Sequence, residues 1–404
     1  MKYLDYIDLS YKPTNDLIAT FYLIPNKVPL KKAAGAIAAE SSTGTWEEVL
    51  TERPYVKRLA AKVFEIRKNL VKIAYPLDLF EDSNIPNLMS SIAGNVFGMK
   101  IVKKLKLLDI EFPRKFVRKF RGPKFGIKGI RKYFKVRKRP LLGTIIKPKI
   151  GLKPKDHAKV AYEAWLGGCD LVKDDENLAS QRFNKFEKRL ELTLKALEKA
   201  EKETGEKKGY LINVTAETHL MIKRAYEVLE KGGKYIMVDV VTVGFSALQT
   251  LRNQDFDLII HAHRAGHAAF TRLDHGISML VLAKILRLIG VDQLHTGTAG
   301  LGKMESEETE RINEFLRGEF YGLKKVMPVA SGGLHPARVP ALISKLGIDI
   351  IIQAGGGIHG HPSGTFYGAK AMREAIEAAI QGIPLKEFAK THKALREALR
   401  KWKR

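Results

Sequence analysis

Apolar and polar positions change rhythm along this chain. Up to residue 120, alternating segments such as DLIATFYLIP and VKIAYPLDLF are interspersed with segments of helical spacing, PLKKAAGAIAAE and Ile92–Leu108. Alternation lets a strand bury one face, and three-to-four spacing does the same for a helix, so this stretch predicts an α+β domain of ferredoxin-like type. From Leu141 the pattern becomes regular. Short β-rich runs fall at Leu141–Lys149, Asp170–Asp174, Gly209–Thr215, Tyr235–Val243, Leu258–Arg264, Gln293–Thr298, Val326–Ser331 and Ile350–Ala354. Each is followed by an amphipathic stretch rich in Ala, Leu, Lys and Glu: His157–Leu166, Asn184–Glu203, Leu220–Lys231, Phe245–Gln254, Ile277–Ile289, Glu307–Arg317, Val339–Leu346 and Gly368–Ile380. Strand-then-helix units in this number, over about 260 residues, match a (β/α)8 barrel in count, order and size. A doubly wound open sheet is the competing architecture, but no GxGxxG follows the first run to support it. The expected organisation is an N-terminal domain over residues 1–120 and a barrel with C-terminal helices over residues 121–404.

A barrel carries its chemistry where strands end and their following loops begin. The polar residues gather there. The first run ends in Lys147 and Lys149, the second in Lys173, Asp174, Asp175 and Glu176, the fifth in His261, His263 and Arg264, and the sixth in His295. The seventh and eighth end in Ser331-Gly332-Gly333 and Gly355-Gly356-Gly357. One charge, histidine or Gly pair at a strand end is ordinarily solvated, structural or a turn; their convergence on one rim is what indicates a site. Glycine-rich loops after the last two strands let backbone N–H groups approach a phosphate, and Arg264 with His295 suits a second phosphate at the far end of a substrate. Asp175 and Glu176 suit a hard cation such as Mg²⁺ but form an incomplete ligand set, and Lys173 beside them is anomalous as a cation unless neutralised or modified. Thr296–Glu305, with glycines at 297, 300 and 302 around Lys303, has the composition of a mobile lid, or of an ordinary flexible loop.

Composition narrows the class. The chain has 404 residues, 45% of them hydrophobic, with a formal net charge of +26 and one cysteine, Cys169. A disordered or collagen-like chain and a secreted disulfide scaffold are excluded, and neither a signal-peptide pattern nor an apolar run of spanning length occurs, so a cytoplasmic location is expected. The positive excess calls for anionic partners, and much of it sits in Pro113–Pro140, where basic and aromatic residues interleave. That run reads either as a nucleic-acid surface or as a solvated basic face. The second is preferred, because no nucleic-acid module pattern accompanies it.

The motifs GGCDLVKDDEN, TIIKPKIGL, AAESSTGTW, AGNVFGMK, IIHAHRAGHA, PVASGGLH and IIQAGGGIHGHP together resemble the large subunit of ribulose-1,5-bisphosphate carboxylase/oxygenase, RuBisCO, in its archaeal form III branch. The resemblance runs over the whole chain, from YLDYIDLSYKP to the C-terminal helices. It implies that Lys173 reacts with CO2 to become a carbamate, which with Asp175 and Glu176 completes a site for one Mg²⁺. It further implies that Lys147 handles protons at the reacting carbons, that Lys149 tunes the electrostatics of the carbamate and metal, that His263 assists proton transfer and that Lys303 stabilises the incoming carboxylate. Arg264 and His295 bind one phosphate; Ser331, Gly332, Gly333, Gly355 and Gly356, with Thr144 and Gln353, serve the hydroxyls and the other phosphate.

By the same resemblance Glu40, Thr45, Trp46 and Asn95 complete the site from a partner subunit, which implies a homodimer, or a ring of dimers, without a small subunit. The implied reaction is enolisation of ribulose-1,5-bisphosphate, addition of CO2 and cleavage to two 3-phosphoglycerates, with O2 as a competing reactant and AMP or nucleotide salvage as the setting. Two rivals stay open: an enolase or isomerase on the same scaffold, and a nucleic-acid-binding role through Pro113–Pro140. The lid reads TAGLGK, one residue longer than in plant members. The stretch from Lys303 to Ser331 is shorter than in most members, so weaker lid support or altered subunit packing is expected there.

Overall fold

The computed structural model describes residues 2–47, 49–305 and 307–402. In chain order its strands are β1 (Leu17–Pro25), β2 (Lys62–Arg67), β3 (Leu70–Tyr75), β4 (Val102–Glu111), β5 (Leu141–Ile145), β6 (Leu171–Lys173), β7 (Gly209–Asn213), β8 (Tyr235–Asp239), β9 (Ile259–His263), β10 (Gly276–Ile277), β11 (Gln293–His295), β12 (Met327–Ser331) and β13 (Ile351–Gln353). Two compact units result. One comprises Met1–Gly122, Gly266–Ile289 and Glu319–Leu323; the other comprises Pro123–Ala265, Gly290–Gly318 and Lys324–Arg404. None of the described helices is long and apolar enough to cross a membrane.

The first unit is built on a five-stranded sheet in the order β10-β4-β1-β3-β2. β1 runs antiparallel to both β3 and β4, and the helices Leu30–Glu40 and Ile85–Ile92 follow β1 and β3, which is the ferredoxin-like βαββαβ order. Leu17, Ala19, Phe21 and Leu23 of β1 are all fully buried, so the alternation seen in the sequence is the inward face of this strand. Ile92–Leu108 does not form the expected helix. Its second half opens β4, in which Val102, Leu105, Leu107 and Ile110 are buried. Register shifts against β1 between Thr20/Phe21 and Ile24/Pro25 insert extra residues into β4. Each bulge stretches the spacing of inward positions from two to three, and that imitates a helical period. The helix Met279–Ile289, read from the sequence as the fifth helix of the barrel, belongs to this unit.

The second unit is a closed barrel of parallel strands in the order β11-β12-β13-β5-β6-β7-β8-β9. All eight β-rich runs of the sequence supply a strand, and closure is made by β13 against β5. β5, β7 and β8 are buried along their whole length, as strands covered on both faces are. The run Tyr235–Val243 is shorter as a strand than expected. β8 ends at Asp239, and a helix begins at Val240 and continues to Asn253 across a break at Gly244 (φ 80°, ψ 163°). The β-branched residues there favour a strand locally, but the chain leaves the barrel at this rim and Thr242 Oγ1 donates back to the Asp239 carbonyl at 3.1 Å.

The other end of the barrel is plugged by the helix Gly126–Phe134. Ile127, Ile130 and Phe134 pack into a cluster with Leu141, Leu171, Leu211, Tyr235, Met237, Ile259, Met327, Val329 and Ile351. Phe116 and Phe120, in the first unit, are likewise buried. The aromatic residues that interleave with basic ones in Pro113–Pro140 are therefore largely core side chains. Asp292 secures the plug by accepting from the N–H groups of Phe125 and Gly126 at 2.7 and 3.0 Å.

Candidate active site

The strand ends of the barrel converge as expected. At the end of β6, Lys173 is fully buried, its Nζ donating to the Asp174 carbonyl at 2.6 Å and lying 3.6 Å from Glu176 Oε2. Burial lowers its pKa, and the neighbouring Glu176, Asp239, Asp175 and Asp174 only partly oppose that fall. From the loop after β5, Lys147 donates to Asp175 Oδ2 at 2.7 Å. Burial pushes the Asp175 carboxyl up, but Lys147 and the Asn177 donors hold it below the ordinary range. Glu176 is held down likewise, against its burial, by the charges of Lys173 and His263. Lys149 stands apart: it is exposed, and among the described residues it has no carboxylate partner.

A buried polar network fixes the segment that carries these carboxylates. Asp174 accepts from Arg189 Nε at 3.0 Å, Tyr210 Oη at 2.7 Å and the Asn213 N–H at 3.1 Å. His157 Nε2 lies 3.0 Å from Oδ1 as an electrostatic neighbour, outside hydrogen-bonding geometry. Burial alone would raise the Asp174 carboxyl, but Arg189 first and then His157 and Tyr210 hold it well below the usual range. Asn213 Nδ2 donates to the carbonyls of Glu176 and Leu178 at 3.1 and 3.0 Å, so the third barrel strand grips the loop of the second.

Three histidines line the opposite part of the rim. His263 Nδ1 faces Asp239 Oδ1 at 2.6 Å, and its Nε2 lies 3.7 Å from Glu176. Asp239 thus fixes the Nδ1–H tautomer and turns Nε2 toward the carboxylates. His261 Nδ1 lies 2.7 Å from Gln293 Oε1, and Gln293 Nε2 donates to Tyr235 Oη at 3.2 Å. His261 therefore donates through Nδ1 and accepts through Nε2 from His295 Nε2, 2.9 Å away. Burial pulls both His261 and His295 well below the ordinary histidine range, aided by Lys173 for the first and His263 for the second. Arg264, next in the chain, is lowered by burial only to about 10 and stays cationic at neutral pH.

The glycine loops meet the lid. The Lys303 N–H donates to the Gly332 carbonyl at 3.0 Å, and Gly302 N–H to Thr298 Oγ1 at 2.8 Å. A Cβ on Gly302 would stand 2.0 Å from the Gly332 oxygen, and one on Gly333 (φ +77°) 2.9 Å from the Lys303 nitrogen, so glycine is required on both sides of this contact. Ser331 ends β12, and Gly355 lies where a Cβ would be 3.0 Å from Lys147 Cε, with Gly356 beginning the next turn. Gln353 is fully buried, with neither amide atom hydrogen-bonded. Thr144 Oγ1 lies 2.7 Å from the Ala354 carbonyl and 2.9 Å from His359 Nε2.

The remaining four candidates belong to the first unit. Asn95 Nδ2 donates to Glu40 Oε1 at 3.2 Å, while Thr45 and Trp46 sit in the loop after the first helix, Trp46 80% exposed. The sequence reading missed Asp174, Asn213 and Asp239 as orienting groups, although Asn213 and Asp239 also end barrel strands and the same positional rule selects them. His359 had no such signal, since it meets Thr144 from 215 residues away.

Comparisons with known proteins agree with this geometry. Residues 126–402 match the family described as ribulose bisphosphate carboxylase large chain, catalytic domain, and residues 5–116 match its N-terminal domain. The chain is 52% identical to a ribulose bisphosphate carboxylase of Methanocaldococcus jannaschii, covering 99% of this chain and 100% of that protein. It is 51% identical to that of Pyrococcus abyssi, covering 99% and 96%. Among solved structures, the octameric enzyme from Pyrococcus horikoshii has a TM-score of 0.97 at 51% identity over 99% of this chain and 97% of that one. The dimeric archaeal enzyme from Hyperthermus butylicus has a TM-score of 0.93 at 45% identity over 99% of each chain. With a plugged barrel, a buried lysine between rim carboxylates and full-length identity of about half, the chain belongs to the RuBisCO large-chain family.

Proposed function

We propose that this protein is a form III ribulose-1,5-bisphosphate carboxylase/oxygenase, activated by carbamylation of Lys173 and dependent on Mg²⁺. The observation that carries this reading is Lys173 itself. A lysine that is fully buried 3.6 Å from Glu176, with its pKa lowered by burial, is shifted toward the neutral amine that CO2 requires. The neutral amine attacks CO2 and loses a proton, converting a buried cation into an anionic oxygen donor. That change answers a chemical deficit, because Asp175 and Glu176 alone are too few ligands, and no larger group of His, Cys, Asp and Glu able to hold a metal occurs among the described residues. The donor set therefore fits Mg²⁺ once Lys173 is carbamylated. When bound there, the ion supplies Lewis-acid polarisation of the substrate carbonyl.

The chain's own groups divide the remaining work. The carbamate of Lys173 is the general base for the carbon-bound proton, and His263, held by Asp239, assists transfer through Nε2. CO2 adds to the resulting enediolate, and Lys303 stabilises the new carboxylate, its backbone held by the Gly332 carbonyl. After hydration and C–C cleavage, Lys147 protonates the last carbanion, and two 3-phosphoglycerates leave. O2 competes for the same enediolate. With His261 and His295 both neutral, Arg264 supplies the positive charge for one phosphate. Ser331, Gly332, Gly333, Gly355 and Gly356 offer backbone donors to the other, and the unsatisfied amide of Gln353, with Thr144, faces the hydroxyl-binding role. Lys149, exposed here, acts at most through long-range electrostatics.

Glu40, Thr45, Trp46 and Asn95 complete the site of a partner subunit, a role consistent with the 80% exposure of Trp46 in a single chain. Dimeric and octameric relatives support a homodimer or a ring of dimers, and the scheme invokes no small subunit. The setting we propose for the reaction is nucleotide salvage in the cytoplasm. The buried aromatics of the Pro113–Pro140 run count against a nucleic-acid role, because base stacking needs exposed rings.

The test is incorporation of labelled CO2 into 3-phosphoglycerate from ribulose-1,5-bisphosphate, with and without preincubation in bicarbonate and Mg²⁺. Label that depends on preincubation is the expected result. Exchange of the substrate C3 proton with solvent in the absence of label would replace carboxylation by the enolase or isomerase reading.

A further inference from the structure

We infer that the C-terminal helix, through Trp402 and Lys401, is a brace that positions both phosphate loops of the barrel. This rests on the function proposed above for those loops. The helix Lys393–Lys401 buries Ala394 and Ala398 against Ala371, and its Leu395 N–H donates to Glu374 Oε2 at 2.8 Å, so its seat is firm. From that seat it touches two segments. The Trp402 ring stacks on His335, two residues beyond Gly333, with centroids 5.6 Å apart and planes 20° from parallel. Lys401 Nζ donates to the Gly360 carbonyl, which closes the turn begun at Gly355 and Gly356. The hold on that second segment continues past the turn. His361 Nε2 donates to the Ala394 carbonyl at 3.0 Å, and Ser363 Oγ to Glu397 Oε2 at 2.8 Å.

The two braced segments also lean on each other. A Cβ on Gly357 would stand 2.1 Å from the Leu334 oxygen and 2.9 Å from His335 Cα. Glycines confer close approach and positive φ at this rim, with Gly332 and Gly333 at +115° and +77°, but they confer no stiffness. Backbone donors bind an anion well only when held in place beforehand, because ordering them on binding subtracts from affinity. The helix supplies that order from outside. Trp402 and Lys401 touch no reacting atom in this scheme, so they are positioning residues that act through His335 and Gly360.

Three variants test the brace: Trp402→Ala, Trp402→Phe and Lys401→Met, each in the full chain activated with bicarbonate and Mg²⁺. Hydrogen exchange of amides in residues 331–335 and 356–361 is expected to rise about tenfold in Trp402→Ala, with the barrel strands unchanged. The KM for ribulose bisphosphate is expected to rise about tenfold while kcat stays within about twofold, with Trp402→Phe restoring most of the loss and Lys401→Met showing a smaller rise. Unchanged exchange in those two segments overturns the brace. So does a loss of kcat without a change in KM, or a Trp402→Phe variant no better than the alanine. A wild-type chain that neither carboxylates nor binds ribulose bisphosphate overturns the functional reading instead, and the exchange pattern then decides the brace by itself.

Discussion

Replacing Asp174 by Asn isolates one charge behind the catalytic rim without changing shape. The Asp174 carboxylate receives Arg189 Nε, Tyr210 Oη and the Asn213 N–H, and both Asp174 and Arg189 are fully buried. In the variant Arg189 keeps neutral acceptors, the Asn184 carbonyl and Oδ1 at 3.1 Å each and the Ala179 carbonyl at 2.7 Å, but loses its counterion. Uncovering one member of a buried ion pair costs about 3–5 kcal/mol. The amide has one acceptor oxygen for donors that now share two, so one donor faces an N–H2 group, which adds to the upper end of that range rather than offsetting it. At roughly 2–4 °C per kcal/mol for a domain of this size, Tm falls by roughly 6–20 °C. Denaturant unfolding followed by circular dichroism measures the loss. The double variant Asp174→Asn/Arg189→Met, which removes the stranded charge, should recover at least half of it. A single variant within about 1 kcal/mol of wild type, or a double variant no more stable than the single, would refute the assignment. Because Asp174 lies between Lys173 and Asp175, the Mg²⁺ concentration for half-activation should also rise by about tenfold or more.

Lys173→Ala should abolish turnover and its dependence on bicarbonate and Mg²⁺, and carboxylation by that variant would remove the carbamate from the scheme. Lys303→Ala should keep exchange of the substrate C3 proton while losing label in 3-phosphoglycerate; loss of both would give the lid lysine another task. Asp239→Asn weakens the hydrogen bond that orients His263 at 2.6 Å and should lower kcat by about tenfold or more with KM little changed, as steady-state kinetics will show. Asp170 is buried under Arg139, at 2.7 and 2.8 Å, and Arg373, which hold its carboxyl below the ordinary value despite its burial. A depressed carboxyl contributes stability that is complete above its unfolded pKa of about 3.9 and is lost as pH falls from there toward the folded value. Acid unfolding of Asp170→Asn should accordingly be flatter below about pH 4 than that of wild type.

The barrel was legible because each of its strands is short, β-rich and followed by an amphipathic helix, and because Leu141–Ile145 and its neighbours are buried on both sides and so read as continuous apolar runs. The rim was legible for a different reason. Strand ends are positions in the sequence, so Lys173, His263 and His295 could be placed before any contact was known. What was not legible depends on pairing. The bulges of β4 are set by its partner β1, and they disguised a strand as a helix. The stop at Asp239 comes from the geometry of the rim and overrides a β-branched run. Asp174 and Glu176 look alike in the sequence, yet Arg189 and Tyr210 turn the first away into the network behind the rim, while the second lies beside His263.

The small sheet of the first unit has consequences for how copies of this chain meet. A closed barrel has no free strand edge, so among the described sheets open ladders occur only at β2 and β10. β10 is two residues long and contains Gly276 at φ +129°, too short and too bent to template another strand. The edge at β2 is interrupted by a bridge from Ile7 to Val63 and carries Lys62, Glu65 and Arg67, the last two paired at 3.0 Å. Backbone-to-backbone growth between molecules is thereby blocked at both ends, which protects the chain from ordered aggregation. Any assembly of this protein must then be written in side chains, and can be changed by substitution without disturbing the fold.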